Sequence, residues 1–140
     1  MRVIIGYDGS EQARRALNFA KNLLIPINPQ EIEPLRQPDE IYIVTVINER
    51  KQTPDQVVIN KEKAKQIQLD ALGELRGYSV KAEIVEGKNV SDSILNVCYQ
   101  IGCDLIIVGS RGLTGVKGAV LGSVSSELLA KTKVPLLVVK

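Results

Sequence analysis

Residues 105–126 read LIIVGSRGLTGVKGAVLGSVSS. The run Leu105–Val108 is short, apolar and unbroken by polar residues, the pattern of a strand buried on both faces of a parallel sheet. Five glycines follow between Gly109 and Gly122. Glycine lets backbone N–H groups turn toward an anion and lets the anion approach closely. Gly122-Ser123 then opens a helix, with Val124, Leu128 and Leu129 expected inward and Pro135 just beyond its end. A helix start carries free N–H groups and the positive end of the helix dipole. Strand, glycine loop and helix start in this order suit a phosphate. Ser123 and Ser125 add hydroxyls, and Arg111 and Lys117 could neutralise charge. The plainer readings are that Gly112 and Gly122 serve turns, that Gly122 or Ser123 merely caps the helix, and that Arg111 and Lys117 are solvated.

Working outward, similar apolar runs recur at Val3–Ile5, Ile41–Ile47, Val80–Val85 and Leu136–Val139. Helical patterns separate them. Ser10 is a good N-cap for a helix that turns Ala13, Ala16, Leu17, Ala20, Leu23 and Leu24 inward. A longer helix, Pro54 to Leu75, buries Ala64, Ile67, Ala71, Leu72 and Leu75, with Gly77 as a stop. A third follows Asn89, with Val90, Ile94, Val97, Cys98 and Ile101 inward and Gly102 ending it. The order β-α-β-α-β-α-β-α-β predicts a single doubly wound α/β domain over residues 1–140, a parallel sheet with helices on both faces. The proline-rich stretch Pro26–Asp39 is long for such a connection and reads as a surface excursion. The Lys-rich segment Lys61–Lys65 reads as a solvated helix face.

In open α/β sheets, ligands bind beyond the carboxyl ends of strands, where the strand order reverses. A second segment here joins the glycine loop as a candidate: Gly6-Tyr7-Asp8-Gly9-Ser10, directly after the first strand. Tyr7 and Asp8 are its candidate contacts, although an Asp before a helix also caps it readily.

Composition removes several alternatives. The chain has 140 residues, a net charge of +2, 4% aromatic residues and no tryptophan. That balance argues against nucleic acid and anionic membranes as partners. No apolar stretch reaches the roughly 18 residues of a membrane span, and the start is no signal peptide, so a cytoplasmic location is expected. Histidine is absent, which removes the usual general base and zinc ligand together. Cys98 and Cys103 lack CxxC spacing and read as reduced core residues rather than a redox switch. Neither G-x-x-x-x-G-K-[ST] nor G-x-G-x-x-G occurs, so neither a Walker loop nor the standard dinucleotide fingerprint is present.

The spacing Gly109-x-x-Gly112, nine residues, then Gly122-Ser123 resembles the ATP-binding signature of the universal stress protein family. VIIGYDGS at the start, DLIIVGSRGLTG in the middle and KVPLLVV at the end are similar to family signatures in their usual order, so the resemblance covers essentially the whole chain. Pro26–Asp39 is longer than that connection commonly is. The resemblance implies an adenine nucleotide alpha hydrolase-like fold with five parallel strands in the order 3-2-1-4-5. It places Asp8 near the ribose and a phosphate-bound Mg ion, and the Thr45-Val46 backbone at the adenine edge. Val108 and Gly109 would line base and ribose. Gly112, Gly122, Ser123, Val124 and Ser125 would hold the phosphates of ATP, ADP or AMP. It also implies a homodimer through the last strand, whose open apolar edge invites pairing in any case.

Three functions are in view. The first is a regulatory ATP-binding module of the stress response that hydrolyses ATP slowly or not at all. The second is an interaction or chaperone-like module, with an unknown protein partner, in which the nucleotide is only structural. The third, an adenylyl-transfer enzyme, is weakest, because no nucleophile–base pair is visible.

Overall fold

The apolar runs become strands in strict alternation with helices. A computed structural model describes residues 1–27, 36–50, 52–111 and 121–140. Its elements are β1 (Arg2–Gly6), α1 (Glu11–Leu23), β2 (Glu40–Asn48), α2 (Pro54–Glu74), β3 (Ser79–Gly87), α3 (Val90–Ile101), β4 (Leu105–Gly109), α4 (Ser123–Lys131) and β5 (Leu136–Val139). All neighbouring strands pair in parallel, in the order β3-β2-β1-β4-β5. The order reverses at β1, between β2 and β4.

Alternation along each strand divides the core in two. Val3, Ile5, Ile41, Ile43 and Ile107 face α1 and α2, packing with Ala16, Leu17, Ala20, Ala71 and Leu75. Ile4, Tyr42, Val44, Ile106 and Val108 face the other way, onto Ile94, Val97, Cys98 and Leu128 of α3 and α4. Burial on both faces explains why the central strands read as unbroken apolar runs.

Three helix expectations change. Leu23 and Leu129 lie at helical spacing from buried neighbours but are 46% and 62% exposed. In α2 the buried stripe includes Gln68, while Ile67 and Leu72 are only half-buried. The Gln68 amide donates to the carbonyls of Ile43 and Glu83, so a polar side chain fills a core position by bonding two strands. Gly77 does stop α2, at φ +89°.

Cys98 and Cys103 lie in the core as expected, but they are joined in a disulfide rather than reduced. The cause is local. Gly102, at φ +66°, ends α3 in the left-handed conformation, and the Cys103 amide bonds back to the Cys98 carbonyl at 2.9 Å. This cap folds Cys103, just past the glycine, back onto Cys98 in the last turn of the helix.

The connection Pro26–Asp39 is described only at its ends. Ile25 and Asp39 close its base: Asp39 N–H donates to the Ile25 carbonyl at 3.1 Å, and Ile25 N–H donates to Asp39 Oδ2 at 2.8 Å. The Asp39 carboxylate is fully buried and also accepts from the Met1 ammonium at 2.9 Å. Burial pushes this carboxyl upward, but the Ile25 amide, the Met1 ammonium and the nearby Arg36 outweigh it and hold it below the ordinary carboxylate value.

Candidate functional site

β1 ends at Gly6, while β2 runs on to Asn48. That difference in length opens a crevice over the carboxyl ends of β1 and β4. The cavity there is about 300 Å³. Its apolar wall comes from one face of β2 (Val44, Val46), from Val108 of β4 and from Val90 and Ile94 of α3. Its polar end is formed by Asp8, Arg111 and the first turn of α4.

The α4 end is the informative part. Ser10 caps α1 by accepting from the Ala13 amide, Thr53 caps α2 through Gln56, and Asn89 caps α3 through Asp92. At α4 the cap residue is Gly122 rather than Ser123, and no side chain among the described residues caps the helix. The amides of Ser123, Val124 and Ser125, all on the cavity wall, form that first turn. Beside it, Arg111 Nε is the one buried side-chain polar atom without a hydrogen-bond partner among the described residues. Gly122 makes room for this arrangement: a Cβ there would stand 3.2 Å from Arg111 Cα and 3.3 Å from the Ser110 carbonyl oxygen.

Gly109 is required by packing. A Cβ on it would lie 2.6 Å from the Gln12 carbonyl carbon and 2.9 Å from the Ala13 nitrogen, inside the backbone of α1. At Asp8, Oδ1 accepts from the Ser10 amide at 2.9 Å, an Asx turn that leads into α1, while Ser10 itself is the helix cap. Two walls of the cavity are tied together below the site. Asn89 and Ser91 of α3 donate to Glu127 of α4. Those bonds from Ser91 and Asn89, with Lys131 nearby, hold the Glu127 carboxyl below its ordinary value.

The structure brings Asp8, Val46, Val108, Gly109, Arg111, Gly122, Ser123, Val124 and Ser125 together on this cavity. Gly112 lies outside the described residues, as does Lys117. Tyr7 reaches the cavity, but its ring packs in the α1–α2 cluster, where burial foremost raises its hydroxyl pKa against the opposing pull of Arg14. Thr45 does not line the cavity. Strand alternation turns it to the opposite face, where its hydroxyl donates to the Tyr7 carbonyl at 2.8 Å. The Ser125 hydroxyl is engaged by the Ser110 and Gly122 carbonyls at 2.9 and 3.1 Å, which leaves its amide for a ligand. Val44, Asn48, Val90 and Ile94 are additional wall residues. The period of two from Val46 could have found the first two, and the first turn of α3 the others.

The fold and its switch-point crevice define a doubly wound α/β domain with a polar end at the place where such sheets bind ligands. The family profile "Universal stress protein family" matches residues 1–140, and the chain belongs to that family. It is 26% identical over 164 residues to "Stress response protein NhaX" of Bacillus subtilis, a match covering 99% of this chain and 97% of that one. Among solved structures it is similar to hypothetical protein MJ0577 of Methanocaldococcus jannaschii, with a TM-score of 0.81, 32% identity, and 99% and 94% of the two chains covered. The universal stress protein from Archaeoglobus fulgidus in complex with dAMP shares the fold at a TM-score of 0.72 and 21% identity, covering 100% of this chain and 98% of that one.

Proposed function

We propose that the crevice binds an adenine nucleotide, ATP or its di- or monophosphate, and that the domain is a regulatory module in which hydrolysis is absent or slow. The observation that carries this reading is a pair of donor groups at the polar end with no partner among the described residues: the start of α4 and Arg111 Nε. Buried polar groups are ordinarily satisfied, and a phosphate would satisfy both donors at once. Gly112 joins them by the resemblance of its motif. Asp8 suits ribose hydroxyls, or a Mg ion that takes most of its ligands from phosphate and water.

The base end has matching chemistry. Tyr7 N–H bonds the Val44 carbonyl and Glu49 N–H bonds the Gly87 carbonyl. In a parallel strand this alternation turns the amide and carbonyl of Val46 toward the β1 side, past the end of β1. One donor followed by one acceptor complements adenine N1 and N6, and the valines pack the ring. The related Archaeoglobus protein solved with dAMP supports this class of ligand.

No histidine stands anywhere in the chain, and no Walker lysine is present to manage phosphoryl transfer. Turnover should therefore stay below about 1 per second. The test is to denature the purified protein, identify any released nucleotide, and titrate Mg-ATP by calorimetry into wild type and Gly122→Val. Binding in wild type that is lost in a folded Gly122→Val supports the site. No adenine nucleotide in either experiment removes it and leaves the interaction module.

A surface feature favours a homodimer through β5, which either function accommodates. The β3 edge carries exposed Lys81, Glu83 and Glu86, which discourage edge pairing, whereas β5 is Leu136-Leu137-Val138-Val139, half-exposed throughout. Lys21 of α1 bonds toward α2, and Lys131 of α4 bonds toward α3. The opposite flanks, toward β5, carry the exposed Phe19, Leu23 and Leu129. Light scattering at micromolar concentration should give twice the chain mass, and a monomer mass overturns the dimer. No helix among the described residues is long and apolar enough to cross a membrane. A cytoplasmic setting is proposed with one condition. Disulfides are rare there, so Cys98–Cys103 would have to persist through its burial.

A further inference from the structure

Asn48 is the last residue of β2 and lines the crevice on the same strand face as Val44 and Val46. It is exposed, yet its orientation is set. Asn48 Oδ1 accepts from the Arg50 amide at 3.0 Å, which fixes the oxygen on the chain and leaves the NH₂ group as a pure donor at the mouth of the cavity. Reading along β2, the crevice therefore meets the Val46 amide (a donor), the Val46 carbonyl (an acceptor) and then the Asn48 NH₂ (a donor).

Adenine presents the complementary series in the same order around its ring: N1 accepts, the N6 amino group donates and N7 accepts. If N1 and N6 take the Val46 amide and carbonyl in chain order, N7 falls on the side toward Asn48. An asparagine NH₂ on adenine N7 is a favourable pairing in its own right, as in base recognition. No other side chain on this wall supplies such a donor: Val44, Val90, Ile94 and Val108 are apolar.

We propose that Asn48 is a specificity-determining residue of the crevice, donating from Nδ2 to N7 of a bound adenine ring. This rests on reading the crevice as an adenine-nucleotide site, and it assigns a role to a residue outside the glycine signature.

The experiment is a calorimetric titration of Mg-ATP and Mg-7-deaza-ATP, which lacks the N7 acceptor, into wild type, Asn48→Ala and Asn48→Asp. Asn48→Asp keeps the oxygen that bonds Arg50 while removing the donor, so it guards against simple loosening of the strand end. Wild type should bind ATP about 3- to 10-fold more tightly than 7-deaza-ATP, the range of one net hydrogen bond. Asn48→Ala should bind ATP more weakly by a similar factor and should no longer distinguish the two nucleotides. Asn48→Asp, which sets an anionic acceptor against N7, should prefer 7-deaza-ATP. Equal affinity of wild type for the two ligands, or discrimination that survives in Asn48→Ala, overturns the proposal while leaving the nucleotide site standing. Failure of wild type to bind either ligand removes both.

Discussion

Replacing Gly109 with alanine tests whether the crevice is built by close approach of β4 to α1. The added Cβ would stand 2.6 Å from the Gln12 carbonyl carbon, 2.8 Å from Gln12 Cβ and 2.9 Å from the Ala13 nitrogen. Two of these three atoms are backbone, at the start of a helix pinned by its Ser10 cap, so the clash cannot be relieved by a rotamer change. Overpacking of this kind costs about 1–3 kcal/mol, and a backbone contact belongs at the upper end. For a domain of this length the unfolding entropy is about 0.3 kcal/mol/K. A loss of about 3 kcal/mol therefore lowers Tm by about 10 °C. Two other glycines calibrate the result. Gly77 has nothing within 4 Å of its hypothetical Cβ but sits at φ +89°, so Gly77→Ala should cost roughly 1–2 kcal/mol from backbone strain alone. Gly73 lies within α2, also with nothing within 4 Å, and Gly73→Ala should gain about 0.5–1 kcal/mol. Thermal unfolding by circular dichroism reads all three. A Gly109→Ala midpoint within 2 °C of wild type, or one above that of Gly73→Ala, would refute the close approach.

The remaining predictions concern charge, sulfur and the ligand. Asp39 titrates below the ordinary carboxylate value when folded, so its stabilisation is complete above the unfolded value of about 4. It is lost as pH falls through the folded value. Urea midpoints between pH 2 and 6 should fall with acid in wild type, and Asp39→Asn should flatten that dependence; parallel curves would exclude the role. Closing the short loop from Cys98 to Cys103 stabilises by about 2 kcal/mol on the chain-entropy account, so Cys98→Ser with Cys103→Ser should lower Tm by about 7 °C. Protein alkylated at lysis and then unfolded without reductant should show no free thiol; two per chain would mean that the disulfide does not form in the cell. ATP at 100 times its dissociation constant should stabilise the fold by about 2.7 kcal/mol, and an unchanged Tm at saturation would contradict selective binding to the native state.

The architecture was legible because strands buried on both faces leave an unmistakable run. Val3–Ile5 and Leu105–Val108 suit a parallel sheet covered on both faces, their alternation with helical segments supplied the rest, and the strand order came with the family resemblance. The helix faces were less legible at their margins. Leu23 and Leu129 have the spacing of inward residues, but spacing does not say where the sheet stops. Both helices lie toward the β5 edge, and among the described residues nothing covers the flank beyond it. Gln68 was missed for the opposite reason. A polar residue becomes a core residue only when strand carbonyls are within reach, and the positions of Ile43 and Glu83 are a property of the assembled sheet. The disulfide depended on the turn at Gly102. Five residues of separation do not suggest a bond until a left-handed cap folds the second cysteine back over the last turn.

The polar end of the crevice was readable from residue type, whereas the strand-end backbone at Val46 was named only through the family resemblance. Glycine is informative wherever a chain must approach another group closely, and Gly109 and Gly122 sit where α1 and Arg111 leave no space for a side chain. Backbone groups have no letter in the sequence. The Val46 amide and carbonyl become available only because β2 outlasts β1, a difference in strand length that residue types alone do not disclose. Thr45 shows the same limit: its neighbour on the strand faces the crevice, and the pleat alone sends its hydroxyl to Tyr7. The residues that shape this crevice are thus of two kinds. One is selected for what it lacks, as the glycines are. The other, Val46 and Asn48 among them, is selected for where a strand end leaves it. The missing cap on α4 belongs with the first kind. Ser10, Thr53 and Asn89 satisfy their own helices, and an oxygen in the same place at Gly122 would satisfy the donors that the proposed phosphate would use.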